Sequence, residues 1–316
     1  MTPALILFGY AATAGWLVPA PLGRLTASGT APRLAIAAWL AAIASVLLTA
    51  LMAISVLIRD TVTGWPGFAR NFCQTVSDSN CPPQVYRSAL FELSLAAATV
   101  LVVLAAAVAA WRFTRRFRGV RRRTQAHGEA ARITGQPFTG QPLPSSATAV
   151  VLPADRPAVY CVPGRPATIV LTTGAVSVLR TDELAAVLAH ERAHLAGRHH
   201  LLTGLMAGLL PVVPLFRTGA AEVARLAELR ADDVAARLRG STPLVRALLS
   251  MATGVPFEMP ARALAATGIA ATGTVTARVN RLLAPVPRSR RRWQATALTA
   301  VIVTLAAIPA VLPAMT

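Results

Sequence analysis

The sequence predicts an α-helical integral membrane protein of about four spans, with an α+β domain between the third and the fourth. Three observations predict it. Four apolar runs are long and almost free of charge. Arginine clusters flank two of them. The intervening polar stretch opens with short β-like runs and continues in helical patterns. Composition agrees: 54% of residues are hydrophobic, only 14% are charged, and the mean hydropathy is +0.55. A soluble domain usually carries about a quarter charged residues.

The first run, residues 3–20, lacks a basic leader, and Pro19 and Pro21 are expected to end it, so it reads as a retained span rather than a signal peptide. Residues 34–58 hold 25 residues without a charge, more than the ~20 that cross the hydrocarbon core. Residues 93–111 and 295–315 give the third and fourth spans. The expected domains are therefore an N-terminal membrane region (1–123), a protease-sized polar domain (124–287) and a C-terminal span region (288–316).

Orientation follows from arginine. WRFTRRFRGVRRR (111–123) has seven Arg in 13 residues, and RSRRR precedes the last span. Basic flanks stay cytoplasmic. That predicts a cell-membrane protein with its 124–287 domain in the cytoplasm and both termini outside. The net charge of +18 comes entirely from Arg. Lying beside spans, with no aromatic-rich basic face, it points to the lipid bilayer as partner and not to direct nucleic-acid binding. Cys73 and Cys81 fall in the outer 59–88 loop, where an oxidising compartment permits a disulfide. Cys161 falls in the domain, as a buried or free thiol. No C-x-x-C pair is present, which excludes the usual cysteine zinc sites.

Within the domain, 124–147 reads as a Gly/Pro-containing loop or linker. Residues 147–152, 158–162 and 167–172 read as strands of a small sheet. Helices are expected from Thr181, over 219–239 and over 242–253. The apolar segment 201–216 holds Pro211 and Pro214 and is short for a crossing. It is expected to be a membrane-associated, re-entrant or interfacial hairpin.

The chemistry lies in LAAVLAHERAHLAGRHH (184–200). Here His190-Glu191-Arg192-Ala193-His194 is an H-E-x-x-H motif, and four of the five histidines fall between 190 and 200. Residues four apart share a helix face, so both imidazoles can meet one metal, for which neutral imidazole nitrogen is a good ligand. Glu191 lies roughly 100° around the helix and can take a proton from an acidified water without ligating. Catalytic zinc needs a third protein ligand and an open position. Glu228 is the candidate, with Glu222 and Asp233 as competitors. Asp232, one turn on, can orient a ligating histidine from behind. His199 and His200 are expected to lie off the ligating face or past the helix end. One Zn²⁺ per chain and hydrolysis of peptide bonds follow as expectations.

With these residues in place, the chain resembles the BlaR/MecR family of bacterial membrane metallopeptidases, the antirepressor proteases. The likeness rests on three spans, a cytoplasmic zinc domain and a fourth span, on HERAH at 190–194, and on a Pro-containing apolar segment leading to E-x-x-x-D at 228–232. The resemblance implies a gluzincin-type domain, His190, His194 and Glu228 as ligands, Glu191 as catalytic base, and a protein substrate, a cytoplasmic repressor. It also implies a strand near 167–172 as the edge for an extended peptide. Antibiotic-sensing members continue into an outer sensor domain. This chain ends at Thr316, so no such sensor is expected. A protease of the HtpX-like or Ste type, acting in quality control or peptide processing, shares the two motifs. A non-catalytic scaffold with a structural zinc site is the alternative from another class, against which the intact Glu191 counts.

Overall fold

The computed structural model describes residues 2–77, 83–140, 147–209, 211–256, 273–284 and 286–311. The expected Cys73–Cys81 bridge lies outside the described residues.

The chain opens with α1 (Thr2–Leu17) and α2 (Pro19–Thr26), bent by 43° at their junction. α1 ends just before Pro19, as the prolines predict. Pro19 then opens α2, because a first-turn proline lacks only an N–H that would have no helical partner anyway. Helices α3 (Pro32–Ser77) and α4 (Pro83–Thr134) follow. Among the described residues three helices are long and apolar enough to cross a membrane: Pro32–Thr63, Leu90–Thr134 and the final Arg288–Val311. The bent α1–α2 pair makes up to four.

α4 does not stop at its arginines. It continues through residues 124–134, which the sequence reading assigned to a loop. The stretch QAHGEAARI is rich in good helix formers, and Ala131 at its end is buried against Val150, Val162 and Val170 of the sheet. That tertiary contact outweighs the single Gly128.

The sheet has β1 (Gln136–Pro137), β2 (Ala147–Leu152), β3 (Val159–Val162) and β4 (Ala167–Thr172), in the order β1-β2-β4-β3. β4 runs parallel to β2 and antiparallel to β3. The expectation that 167–172 forms the edge is therefore corrected: β4 is internal and β3 is the outer strand. The physical reason is visible in β4, where Thr168 through Thr172 are all buried. A strand apolar on both faces needs cover on both. The end of α4 covers one face, and α6 and α9 cover the other.

After α5 (Thr173–Val178) come α6 (Thr181–Ala196), α7 (His199–Gly208), α8 (Pro214–Arg239) and α9 (Ser241–Thr253). α6 starts as expected, with the Glu183 carboxylate accepting the Arg180 N–H at 3.1 Å. α10 (Gly273–Leu283) and α11 (Arg288–Val311) complete the chain. The segment 201–216 is thus most of α7, a turn and the start of α8. Its tip packs among the first helices: Leu215 shares a buried cluster with Trp39, Ile43 and Val46 of α3, and Val213 lies against Gly15 of α1.

The loop between α2 and α3 ties the helices to the domain. Arg225 of α8 donates to the Thr26 carbonyl at 3.0 Å, and Arg281 of α10 donates to the Gly29 carbonyl at 2.9 Å. Thr30 donates to the Gln294 side chain of α11, whose amide donates to the Leu25 carbonyl at 2.6 Å.

Candidate metal centre

α6 and α8 meet along small residues. Ala186, Ala189, Ala231 and Ala235 are buried, and their short side chains let the two backbones come close. Across that seam α6 presents His190 and His194, four apart on one face, and α8 presents Glu228.

The three side chains converge. The Nε2 atoms of His190 and His194 are 3.0 Å apart. Glu228 lies 3.5 Å from His190 Nε2 through Oε2 and 3.2 Å from His194 Nε2 through Oε1. One ligand atom from each falls within 4.8 Å of the others. Two imidazole nitrogens and one carboxylate oxygen facing a common point form a donor set suited to zinc, with room for a fourth, non-protein ligand. The competing acids are engaged elsewhere. Glu222 pairs with Arg225 at 2.7 Å, and Asp233 with Arg281 at 2.8 Å.

Asp232 stands behind His190, Oδ1 to Nδ1 at 3.0 Å. It is nearly inaccessible, and Arg278 of α10 grips both its oxygens at 2.8 and 2.6 Å. The same guanidinium reaches Glu228 at 3.2 Å. Burial alone would raise the Asp232 pKa, but the bonds from Arg278 and His190 outweigh it and hold the group ionised below the ordinary range. Burial likewise works against a charged His190, yet Asp232 and Glu228 prevail and push its pKa up to about 9. For Glu228 the two imidazoles overcome the same desolvation and keep the carboxylate ionised. The ionised Glu228 and Asp232 thus favour positive charge at His190 and at the point it faces.

Glu191 is buried, and that burial raises its pKa. Cys161 of β3 stands beside it. Burial, then the neighbouring Glu191, pushes the Cys161 thiol up, so it stays protonated. β3 therefore runs directly beside the H-E-x-x-H helix.

Three residues of the site were not assigned to it by sequence reasoning. Arg278 sits 50 residues from Glu228 with no spacing signal. Cys161 was read only as a buried or free thiol. His199, expected off the ligating face or past the helix end, lies past the end of α6, and its Nδ1 is 2.8 Å from His194 Nδ1. His199 is buried, which, with His194 and Arg230 nearby, lowers its pKa to about 4 and leaves it neutral. His200 has no such contact; it is half-buried.

No curated protein and no solved structure matches the chain. The family model of peptidase family M48 matches residues 121–300, more than half of the chain and all of the elements that build this site. The chain belongs to peptidase family M48, a family of metal-dependent proteases.

Proposed function

We propose that the protein is a membrane-embedded zinc endopeptidase, that His190, His194 and Glu228 hold one Zn²⁺ per chain, and that its substrate is a cytoplasmic regulatory protein such as a transcriptional repressor. The observation that carries the chemistry is the convergence of a His₂Glu donor set beside a buried, non-ligating carboxylate. Zinc in such a set supplies Lewis acidity towards a carbonyl and acidifies a water. Glu191 accepts the proton of the attacking water and returns it to the leaving amine. Its raised pKa suits both transfers, since a proton carrier works best when its pKa lies near the working pH. Asp232 holds His190 with Nδ1 protonated and Nε2 free. Arg278 keeps Asp232 ionised and oriented.

The outer strand β3 supports an extended peptide as substrate. A chain added to β3 takes its register from main-chain hydrogen bonds and runs along the strand that packs beside the Glu191 helix. The arginine flanks of α4 and α11 support a cytoplasmic domain. The loop 27–31, which bonds to α8, α10 and α11, supports placing that loop on the same side.

Replacing Glu191 by Gln tests the mechanism. Zinc content should be unchanged and proteolysis should fall by at least ~10²-fold, the usual contribution of a general base. Cleavage at the wild-type rate would contradict it. The family match covers residues 121–300, the candidate site's elements and the first half of α11. It therefore also favours a second reading, a protease of HtpX-like or Ste type acting in quality control or peptide processing. Comparing protein termini in cells expressing wild type or Glu191→Gln separates the two. One dominant cytoplasmic DNA-binding substrate supports the regulatory role, and many misfolded or membrane substrates support the second.

A further inference from the structure

His194 has a partner behind it, as His190 has Asp232. The partner is His199, and local backbone geometry explains how a residue only five positions on can reach it. α6 ends at Ala196, and Arg198 adopts a left-handed conformation with φ 50°. That residue breaks the helix, and α7 starts at His199 with its imidazole folded back over the end of α6. The ring lies against Gly197: a Cβ there would stand 2.4 Å from His199 Nε2. The His194 and His199 rings meet edge to face, 4.8 Å between centroids, and their Nδ1 atoms are 2.8 Å apart. His194 points Nε2 at His190 and Glu228; with that nitrogen on a metal, Nδ1 is the one that carries the proton and donates to His199 Nδ1.

The other end of α7 grips a membrane helix. Phe113 and Phe117 of α4 are stacked just beyond the apolar span, centroids 6.1 Å apart. They fill the space left by two glycines one turn apart on α7. A Cβ on Gly208 would stand 2.7 Å from the Phe113 ring, and one on Gly204 would lie 3.5 Å from Phe117. α7 is ten residues long, roughly 15 Å at the α-helical rise. It bridges from the span to the candidate ligand.

We propose that His199 is a positioning residue for His194, fixing the imidazole with Nε2 towards the metal, and that the seat of α7 on α4 sets its position. This rests on the zinc-site reading above. Outer-sphere partners of ligating histidines commonly affect metal affinity 10- to 100-fold. The geometry here gives His199 that role for the second ligand.

The test measures zinc affinity of the detergent-purified full chain by chelator competition, with the visible absorption of the cobalt(II)-substituted protein as a second readout. His199→Leu should weaken zinc binding about 10- to 100-fold and shift the cobalt bands. His199→Asn places an oxygen acceptor where Nδ1 lies and should restore most of the affinity. Gly197→Ala keeps every donor but displaces the ring, and should reproduce the loss. Gly208→Ala should weaken binding through α7, and adding Phe113→Ala should reverse that. Wild-type affinity and spectrum in His199→Leu and Gly197→Ala would overturn the positioning role. Loss in those two but not in Gly208→Ala would overturn the link to α4. Should His199→Leu fail to fold, Gly197→Ala against His199→Asn decides the matter. A wild-type chain that binds no zinc would instead overturn the zinc-site reading itself.

Discussion

Arg278 shows how far the candidate site depends on residues that spacing does not reveal. The H-E-x-x-H spacing and the acids one turn apart at 228 and 232 are legible because helical periodicity alone puts them on common faces. Arg278, Cys161 and His199 are not legible: each reaches the site through a tertiary contact or an unusual backbone conformation. Arg278→Ala leaves Asp232 as a buried, uncompensated charge, which should destabilise the fold by about 3–5 kcal/mol, read as a lowered Tm in detergent. The pH dependence has a defined sign. The Asp232 pKa is depressed in the folded state. Its contribution is therefore fully present above the unfolded carboxylate value of about 3.9 and is lost as pH falls through the folded value. Thermal unfolding should show this acid-side loss in wild type, and Asp232→Asn should lack that component. For Glu191 burial raises the pKa and the neighbouring Cys161 thiol lowers it. Cys161→Ala should therefore move the acid limb of kcat/KM to higher pH, and an unmoved limb would remove Cys161 from the account.

At the scale of elements, the meeting of α6 and α8 is the feature that assembles the ligand candidates. Its small residues make it possible: Ala231 and Ala235 are fully buried between helices that carry His190 and Glu228. Ala235→Leu should cost about 1–3 kcal/mol by overpacking and loosen metal binding as well. Substitution at an exposed alanine elsewhere should do neither. Arg198 holds a left-handed conformation without being glycine. Arg198→Gly relieves a strain of about 1–2 kcal/mol, and because α7 keeps its direction the variant should be more stable and still bind zinc. The elements themselves were mostly readable: three strands and the starts of α6 and α9 follow from period and punctuation. The position of β4 was not. Strand order depends on which faces are covered, and the cover comes from the end of α4, a helix whose continuation into residues 124–134 needed the sheet to stabilise it.

At the scale of the whole molecule, α7 and α8 of the protease unit share a packed core with the apolar helices α1, α3 and α11. The α7–α8 turn sits against α1 and α3, and the loop 27–31 is bonded to α8, α10 and α11. The long spans were visible from hydropathy. The insertion of α8 among them was not, because 201–216 is too short and too interrupted to declare its neighbours. The arrangement predicts that the chain stays with the membrane after carbonate extraction. It also predicts that a single cysteine placed at exposed Arg156, in a background without the three native cysteines, reacts with an impermeant reagent only when the cytoplasmic face is open. Labelling from outside would reverse the proposed orientation.

The central claim is that His190, His194 and Glu228 form one zinc site, and the metal content of the detergent-purified chain tests it most directly. Wild type should carry about one zinc per chain, the occupancy expected of a His₂Glu catalytic site, and both His190→Ala and Glu228→Ala should lose it. Full zinc in Glu228→Ala would move the third ligand to another residue, and a wild-type chain without zinc would contradict the account at its base.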